Sequence, residues 1–325
     1  MKRKYYNDIL EGIGNTPLIK LNRISKGLKA DIFAKLEYLN PMGSVKDRIA
    51  KYMIQKAEKE GRIKPGDTIV DNSSGNTALA LAMVCTLKGY RVKMVVRDNL
   101  SSEKIKFLKA FNVELVMVDH TLHPESPNSY NNIAPRIARE TPNGYYFDQH
   151  NNRENNEAHY MTTGPEIWEQ MEGKIDYFVA GVGTGGTICG VSKFLKEKDP
   201  KIKIIGVDPV GSIFYDYFHS KKIIKPSPYF IEGLGDEFLI GCVDFSLIDD
   251  IYKITDKEAF LMTRELADKE AILAGGSSGA VIWACLKVAR EIDRKARIVT
   301  ILADSGIRYL STIYNDAWLK EKGIL

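Results

Sequence analysis

The chain has 325 residues, of which 44% are hydrophobic and 27% charged, with a formal net charge of +4. This is ordinary globular usage with enough material for one large or two modest domains. Basic and acidic residues alternate without a dense basic block, which argues against nucleic acid as a partner. No window approaches the ~20 apolar residues of a bilayer span, and the basic start Met1-Lys2-Arg3-Lys4 has no apolar run behind it, which argues against a secretory leader.

In chain order, the first informative stretch is Asn40-Pro41-Met42-Gly43-Ser44-Val45-Lys46-Asp47-Arg48. A lone lysine sits in a turn of Pro, Gly and Ser, and a helix is predicted from Asp47. Lys46 is either a surface lysine near a helix start or an amine poised to form a Schiff base, its proton loosened by apolar or cationic surroundings. A buried strand is predicted over 68–71. It ends at Asn72-Ser73-Ser74-Gly75-Asn76, and a helix follows over 77–88, closed by Gly89. A strand over 91–96, a helix capped at Ser101-Ser102-Glu103 and a strand over 113–118 continue the series. Residues 120–132, polar and rich in Pro and Asn, read as a loop or a capped insertion.

A second series begins with a strand over 177–180, a helix over 187–197 and a strand over 203–207. Residues 208–238 carry many aromatics, prolines and glycines and read as irregular. The last strand is predicted over 297–302. Alternating strands and helices argue an α/β protein with parallel-type sheets flanked by helices, in two lobes. The four cysteines, Cys85, Cys189, Cys242 and Cys285, form no C-x-x-C pair and suit buried reduced thiols rather than zinc or a disulfide framework. The cytoplasm is the expected location. His120, His123, His159 and His219 show no metal spacing and read as loop or structural residues; no metal is expected.

Three glycine-rich turns sit where strands hand over to helices. Ser73-Ser74-Gly75-Asn76-Thr77 offers outward N–H groups, hydroxyls and an amide, either as an ordinary helix start or as a grip for a carboxylate and a phenolic oxygen. Gly181-Val182-Gly183-Thr184-Gly185-Gly186-Thr187 is suited to phosphate, with glycines for close backbone approach, two threonine hydroxyls and a helix dipole. It also satisfies G-x-G-x-x-G, with Asp208 ending the next strand, so a dinucleotide such as NAD is a competing ligand. Gly275-Gly276-Ser277-Ser278-Gly279-Ala280 is either a tight turn before a buried helix or a site where backbone and a hydroxyl approach a cofactor edge.

These stretches together resemble the fold-type II pyridoxal-phosphate enzymes (tryptophan synthase β-like), specifically the cysteine synthase and cystathionine β-synthase group. The resemblance runs from Gly14-Asn15-Thr16-Pro17-Leu18 to Tyr314-Asn315-Asp316-Ala317-Trp318. It implies pyridoxal 5'-phosphate bound covalently to Lys46. It implies that Gly183, Thr184, Gly185, Gly186 and Thr187 hold the phosphate, that Asn76 meets the ring hydroxyl and that Ser277 faces the pyridine nitrogen. Ser73, Ser74, Gly75, Thr77, Gln149 and His150 would line the amino-acid substrate. A smaller, mobile substrate-binding domain over 45–150, a larger phosphate-binding domain over 1–44 plus 151–325, and a homodimer follow from the same resemblance.

The implied chemistry is β-elimination and β-replacement through an aminoacrylate, with Lys46 taking the α-proton. Ser277 is neutral and cannot keep the pyridine nitrogen protonated as an aspartate would, which favours replacement over transamination. Four stretches are closer to the cystathionine β-synthase branch: Ser101-Ser102-Glu103-Lys104, Gly206-Val207-Asp208-Pro209, Gly211-Ser212-Ile213 and Ile231-Glu232-Gly233-Leu234-Gly235. Glu232 stands where cysteine synthases tend to have an amide. It either helps a poor leaving group depart and activates a thiol or water, or caps a loop. L-serine or L-cysteine is therefore the expected donor, with hydrogen sulfide released from cysteine and a lanthionine- or serine-type product. O-acetylserine sulfhydrylation is the alternative, and the acceptor stays open among homocysteine, cysteine, sulfide and water. His150 departs from the Tyr or Phe expected after Asp148-Gln149 and is expected to titrate near neutral pH. Ser73 replaces a usual threonine and Asn72 a usual proline. No haem-binding extension is seen before Tyr5 and no regulatory tandem domain after the last helix, so neither haem nor adenosyl-ligand activation is expected.

Overall fold

The computed structural model describes residues 5–123 and 125–325, apart from the side chain of Glu103; the basic start at 1–4 lies outside them. In chain order the regular elements are β1 (Leu18–Leu21), β2 (Ala30–Leu36), α1 (Lys46–Lys59), β3 (Thr68–Asn72), α2 (Asn76–Lys88), β4 (Arg91–Arg97), α3 (Ser102–Lys109), β5 (Glu114–Val118), α4 (Ala134–Glu140) and β6 (Gly144–Tyr146). There follow α5 (Glu154–Met161), α6 (Thr163–Gln170), β7 (Tyr177–Gly181), α7 (Gly186–Lys198), β8 (Lys203–Pro209), α8 (Phe214–Ser220), β9 (Asp250–Ile254), α9 (Asp256–Glu270), α10 (Gly276–Glu291), β10 (Ala296–Leu302) and α11 (Asp316–Glu321). The chain divides into two compact units. One comprises the chain up to Ile13 and Asn40–Glu154, the other Gly14–Leu39 and Asn155–Leu325.

The smaller unit is built on a four-stranded sheet in the order β5-β4-β3-β6, every pairing parallel. All five residues of β3 are buried, as expected of a strand covered on both faces. Helix α2 is buried at every position from Thr77 to Cys85, so it is apolar all round rather than striped and runs through the core. It stops where Gly89 turns left-handed at φ 75°, its N–H bonding back to the Cys85 carbonyl.

The larger unit carries a six-stranded sheet ordered β1-β2-β10-β7-β8-β9, in which only β1 pairs antiparallel. Strand β10 is central, and its alternate residues serve two cores. Ile298 and Leu302 join Val281 and Leu286 of α10 on one face, while Val299 and Ile301 join Ile188 and Val191 of α7 on the other. Each such side chain contributes roughly 1.5–3 kcal/mol on burial, which fixes the strand ends that carry the glycine turns. Helix α9 begins with a reciprocal capping box between Thr255 and Glu258.

One sequence expectation needs correction here. The stretch 208–238 is not wholly irregular, because α8 forms within it. Its aromatics explain why: Phe214 is fully buried and meets Phe245 edge-on with centroids 6.1 Å apart, and Tyr217 and Phe218 also pack on Phe245. The Asp208 carboxylate accepts the Tyr215 N–H at 2.9 Å, and Lys221 closes the helix at φ 60°. Of the histidines read as loop or structural residues, His159 and His219 lie in helices, His159 buried there.

Candidate functional site

In the smaller unit, Lys46 is the first residue of α1, one position earlier than predicted. Gly43 turns at φ 72° with its N–H on the Asn40 carbonyl, and Ser44 Oγ accepts the Lys46 N–H at 3.3 Å. The buried Asp47 carboxylate accepts the Met42 N–H at 2.6 Å and so ties the turn to the helix it precedes. Lys46 itself is partly buried.

The turn after β3 feeds α2. Ser74, Gly75 and Asn76 are partly exposed, whereas Ser73 and Thr77 are buried. The first N–H groups of α2 have no acceptor within the helix, so this corner is equipped for an anion. Ser73 Oγ accepts the Gly75 N–H at 3.4 Å. Thr77 Oγ1 donates to Gln149 Oε1 at 2.6 Å, and Gln149 Nε2 reaches the Asn72 carbonyl at 3.4 Å. The turn and the 149–150 segment are thus brought together within one unit. Below them, burial raises the Asp71 carboxyl well above the usual carboxylate range, while the backbone N–H groups of Asn72, Asp148 and Gln149 oppose that rise.

His150 differs from expectation. Burial, and then the Lys46 charge, lower its pKa to about 4, with Asp148 acting weakly the other way. At neutral pH it is an uncharged imidazole, not a group near its midpoint. The sequence did not reveal this because neither cause is local in the chain.

In the larger unit, the turn after β7 is framed by close approaches. A Cβ on Gly183 would run into the Gly233 carbonyl, and one on Gly185 would fall 2.6 Å from the Cys242 carbonyl oxygen. Gly185 also adopts φ 83°, which an L side chain resists. Thr184 and Thr187 remain partly exposed, and the 13-residue helix α7 starts at Gly186. The donor set is therefore two hydroxyls and the first N–H groups of a helix, converging on a backbone without side-chain bulk. This set fits a phosphate monoester, which needs donors on several sides. Thr184 and Thr187 would hold it together with the N–H groups at the start of α7.

The sequence did not reveal what holds this turn. Asn155 Nδ2 donates to Thr184 Oγ1 at 3.1 Å, and Asn156 Nδ2 donates to the Gly185 carbonyl at 3.3 Å and the Cys242 carbonyl at 2.8 Å. His159 Nε2 lies 3.2 Å from Thr187 Oγ1. All three come from α5. They reach the turn because Gly186 and Gly190 leave no Cβ: one would meet the Asn155 amide, the other the Asn156 carbonyl and, at 2.8 Å, His159 Cβ. The Gly-x-x-x-Gly spacing on α7 was the available signal.

Glu232 is exposed on the turn whose Gly233 packs against Gly183. Its charge also reaches Tyr309, whose phenol is buried and donates to Asp304 Oδ2 at 2.7 Å; burial first, then Asp304 and Glu232, hold that phenol protonated. The Asp304 carbonyl accepts the Gly275 N–H at 3.1 Å, which fixes the third turn, and Ser277 follows in the first turn of α10, 8% exposed. Asp208 is fully buried. Burial raises its pKa to about 7, with hydrogen bonds from Ser212 and Tyr215 opposing. A carboxyl so enclosed is not presented to a ribose, so the dinucleotide pattern loses its acidic partner.

On the surface of the smaller unit, Asp98, Asp119 and His120 bring their ligand atoms within 4.8 Å of one another. His120 Nδ1 lies 2.7 Å from Asp98 Oδ1. The spacing in the sequence did not announce this group. No described helix is long and apolar enough to cross a membrane.

A family model described as pyridoxal-phosphate dependent enzyme matches residues 9–304. Cystathionine beta-synthase of Apis mellifera is 44% identical over 324 residues, covering 99% of this chain and 64% of that protein. Its counterpart in Oryctolagus cuniculus is 42% identical over 324 residues, covering 99% of this chain and 59% of that one. The chain therefore spans less than two thirds of these relatives. Cysteine synthase of Staphylococcus aureus (strain Mu50) is 43% identical over 314 residues, covering 96% of this chain and 98% of that enzyme. A crystal structure of O-ureido-L-serine synthase superposes with a TM-score of 0.88 at 35% identity, covering 97% and 99% of the two chains.

Proposed function

This chain belongs to the pyridoxal-phosphate dependent enzyme family, and from that premise we propose that it catalyses β-replacement on L-serine or L-cysteine, with a thiol or water as second substrate. Bound pyridoxal phosphate supplies an electron sink that lets the α-proton and the β-substituent leave. Lys46 would hold the cofactor covalently through Nζ, and the same amine, when free, would take the α-proton. Ser73, Ser74 and the N–H groups at the start of α2 grip the substrate carboxylate, with Thr77 and Gln149 bracing the turn. Thr184 and Thr187 would hold the phosphate, Asn76 would serve the ring hydroxyl and Ser277 the ring nitrogen. Glu232 delivers a proton to a departing hydroxide or sulfide, then receives one from the incoming thiol or water. His150, neutral at pH 7, lies beside the substrate side chain.

The observation that carries this reading is the carboxylate of Glu232, borne by the turn whose next residue packs on Gly183 of the phosphate cradle. An acid beside the substrate's β-carbon would serve a poor leaving group, which acetate is not. The likeness to cystathionine beta-synthases points the same way. O-acetylserine sulfhydrylation, giving L-cysteine from sulfide, is the second reading and draws on the likeness to a cysteine synthase over nearly its full length. A matrix of donors (serine, cysteine, O-acetylserine, O-phosphoserine) against acceptors (sulfide, homocysteine, cysteine, water), with products identified by mass, separates the two. Turnover of serine or cysteine that falls in Glu232→Gln while O-acetylserine turnover persists supports the first reading. Turnover of O-acetylserine with sulfide alone replaces it with the second. The working assembly in this reading is a homodimer, which light scattering on the eluted protein measures directly.

A further inference from the structure

Helix α5 holds both threonines of the phosphate turn, and the two contacts differ in kind. Asn155 Nδ2 only donates, so Thr184 Oγ1 accepts from it and keeps its own hydrogen for another acceptor. His159 is ambiguous. Its ring is fully buried, with Nδ1 2.9 Å from Thr163 Oγ1 and Nε2 3.2 Å from Thr187 Oγ1. A neutral imidazole has one donor and one acceptor nitrogen. With the proton on Nδ1, the ring donates to Thr163 and takes the Thr187 hydroxyl hydrogen at Nε2. Thr187 then turns a lone pair toward any anion in the turn. With the proton on Nε2, the ring donates to Thr187, accepts from Thr163 at Nδ1, and leaves the Thr187 hydrogen to the anion.

We propose that His159 is a positioning residue that, as its Nε2–H tautomer, sets the direction in which Thr187 donates and thereby the affinity for the cofactor's phosphate. This rests on the reading of the 183–187 turn as the phosphate cradle. Coupling is reciprocal: a ring held as Nε2–H favours the phosphate, and the phosphate favours the Nε2–H ring. Gly190 makes the arrangement possible, because His159 Cβ stands 2.8 Å from where its Cβ would be. With Asn155 acting on Thr184, one helix presents both hydroxyl hydrogens to the same anion.

The test titrates the apoprotein with pyridoxal phosphate and, in parallel, with pyridoxal, which lacks the phosphate. Thr187→Val is expected to weaken the phosphorylated ligand about tenfold or more, the loss of a hydrogen bond to a charged group, and to leave pyridoxal unchanged. His159→Leu is expected to weaken pyridoxal phosphate by a similar factor and pyridoxal not at all. His159→Gln, which carries an amide N–H near the Nε2 position, is expected to recover most of the loss. In the Thr187→Val background, His159→Leu is expected to add nothing. Equal weakening of both ligands in His159→Leu, without rescue by Gln, reduces His159 to packing and overturns the inference. If Thr187→Val selects against the phosphorylated ligand and His159→Leu does not, the inference fails while the cradle stands. If Thr187→Val does not discriminate between the ligands, the cradle reading fails as well. Ring ¹⁵N spectra of the unmutated holoprotein provide a readout free of folding effects: a proton on Nδ1 in the loaded protein refutes the proposal.

Discussion

Replacing Gly190 with alanine sets two effects of opposite sign against each other. Within a helix interior, Gly→Ala is favourable by about 1 kcal/mol through backbone entropy. Gly190 lies inside α7, so propensity alone predicts a gain. Packing predicts the reverse. The new Cβ would meet His159 Cβ at 2.8 Å and press on the Asn156 carbonyl. Apolar carbons rest at about 3.5–4.0 Å, so α5 has to retreat by roughly 1 Å, at an overpacking cost of about 1–3 kcal/mol. The same retreat takes the 3.2 Å contact between His159 and Thr187 past hydrogen-bond length, a loss of about 1 kcal/mol. The net expectation is destabilisation by about 1–3 kcal/mol and weaker cofactor binding. Urea melts of the apoprotein, with hydrogen exchange on the α5 and α7 amides, give the sign. A Gly190→Ala protein that is more stable than the parent and binds cofactor equally well would refute the close approach of these helices.

Lys46→Ala is expected to abolish turnover and the yellow colour that borohydride bleaches in the parent; retained activity removes the assignment. The same substitution in the apoprotein deletes the positive charge that depresses His150, so the His150 midpoint, followed by imidazole NMR, is expected to rise from about 4 toward its ordinary value. Asp208 bears on stability. Its folded-state pKa of about 7 exceeds the ordinary 3.8, so the folded form binds the extra proton between those values. Stability is then full below about pH 4 and lost as pH rises through 7, by up to about 4 kcal/mol. Asp208→Asn is expected to flatten that part of the pH–stability curve, and an unchanged slope in urea midpoints between pH 5 and pH 8 counts against a buried acid there. Asp71→Asn is expected to act in the same direction, since burial also raises that carboxyl.

The strand-to-helix turns were legible in the sequence because glycine and hydroxyl residues cluster there for a local reason: backbone must come close to something. Helix α2 and strand β8 were legible because their apolar residues run nearly without a break, and β3 because its short Ile69-Val70 run leads into a Ser-Gly-Asn turn. Helix α5 gave no such signal. Its buried residues include Asn155 and His159, polar groups that pair with the turn rather than with a core, so neither apolar periodicity nor spacing marks them. Helix α8 was hidden by its aromatic, Pro- and Gly-rich neighbourhood, although Phe214 and Phe218 recur at helical spacing and both meet Phe245. The state of His150 depends on burial and on Lys46, about a hundred residues away in sequence, and the surface grouping of Asp98 with His120 depends on strands β4 and β5 lying side by side. Long-range placement of this kind leaves no trace in composition.

All four cysteines are free and buried, and burial drives the Cys85 and Cys285 thiols far above the range in which a thiolate forms. The folded protein therefore offers no ready thiol to disulfides, persulfides or thiol-directed probes in the surrounding solution. A maleimide dye should stay silent on the native molecule and react only when a segment opens, so the protein carries its own clock for local unfolding with no label introduced.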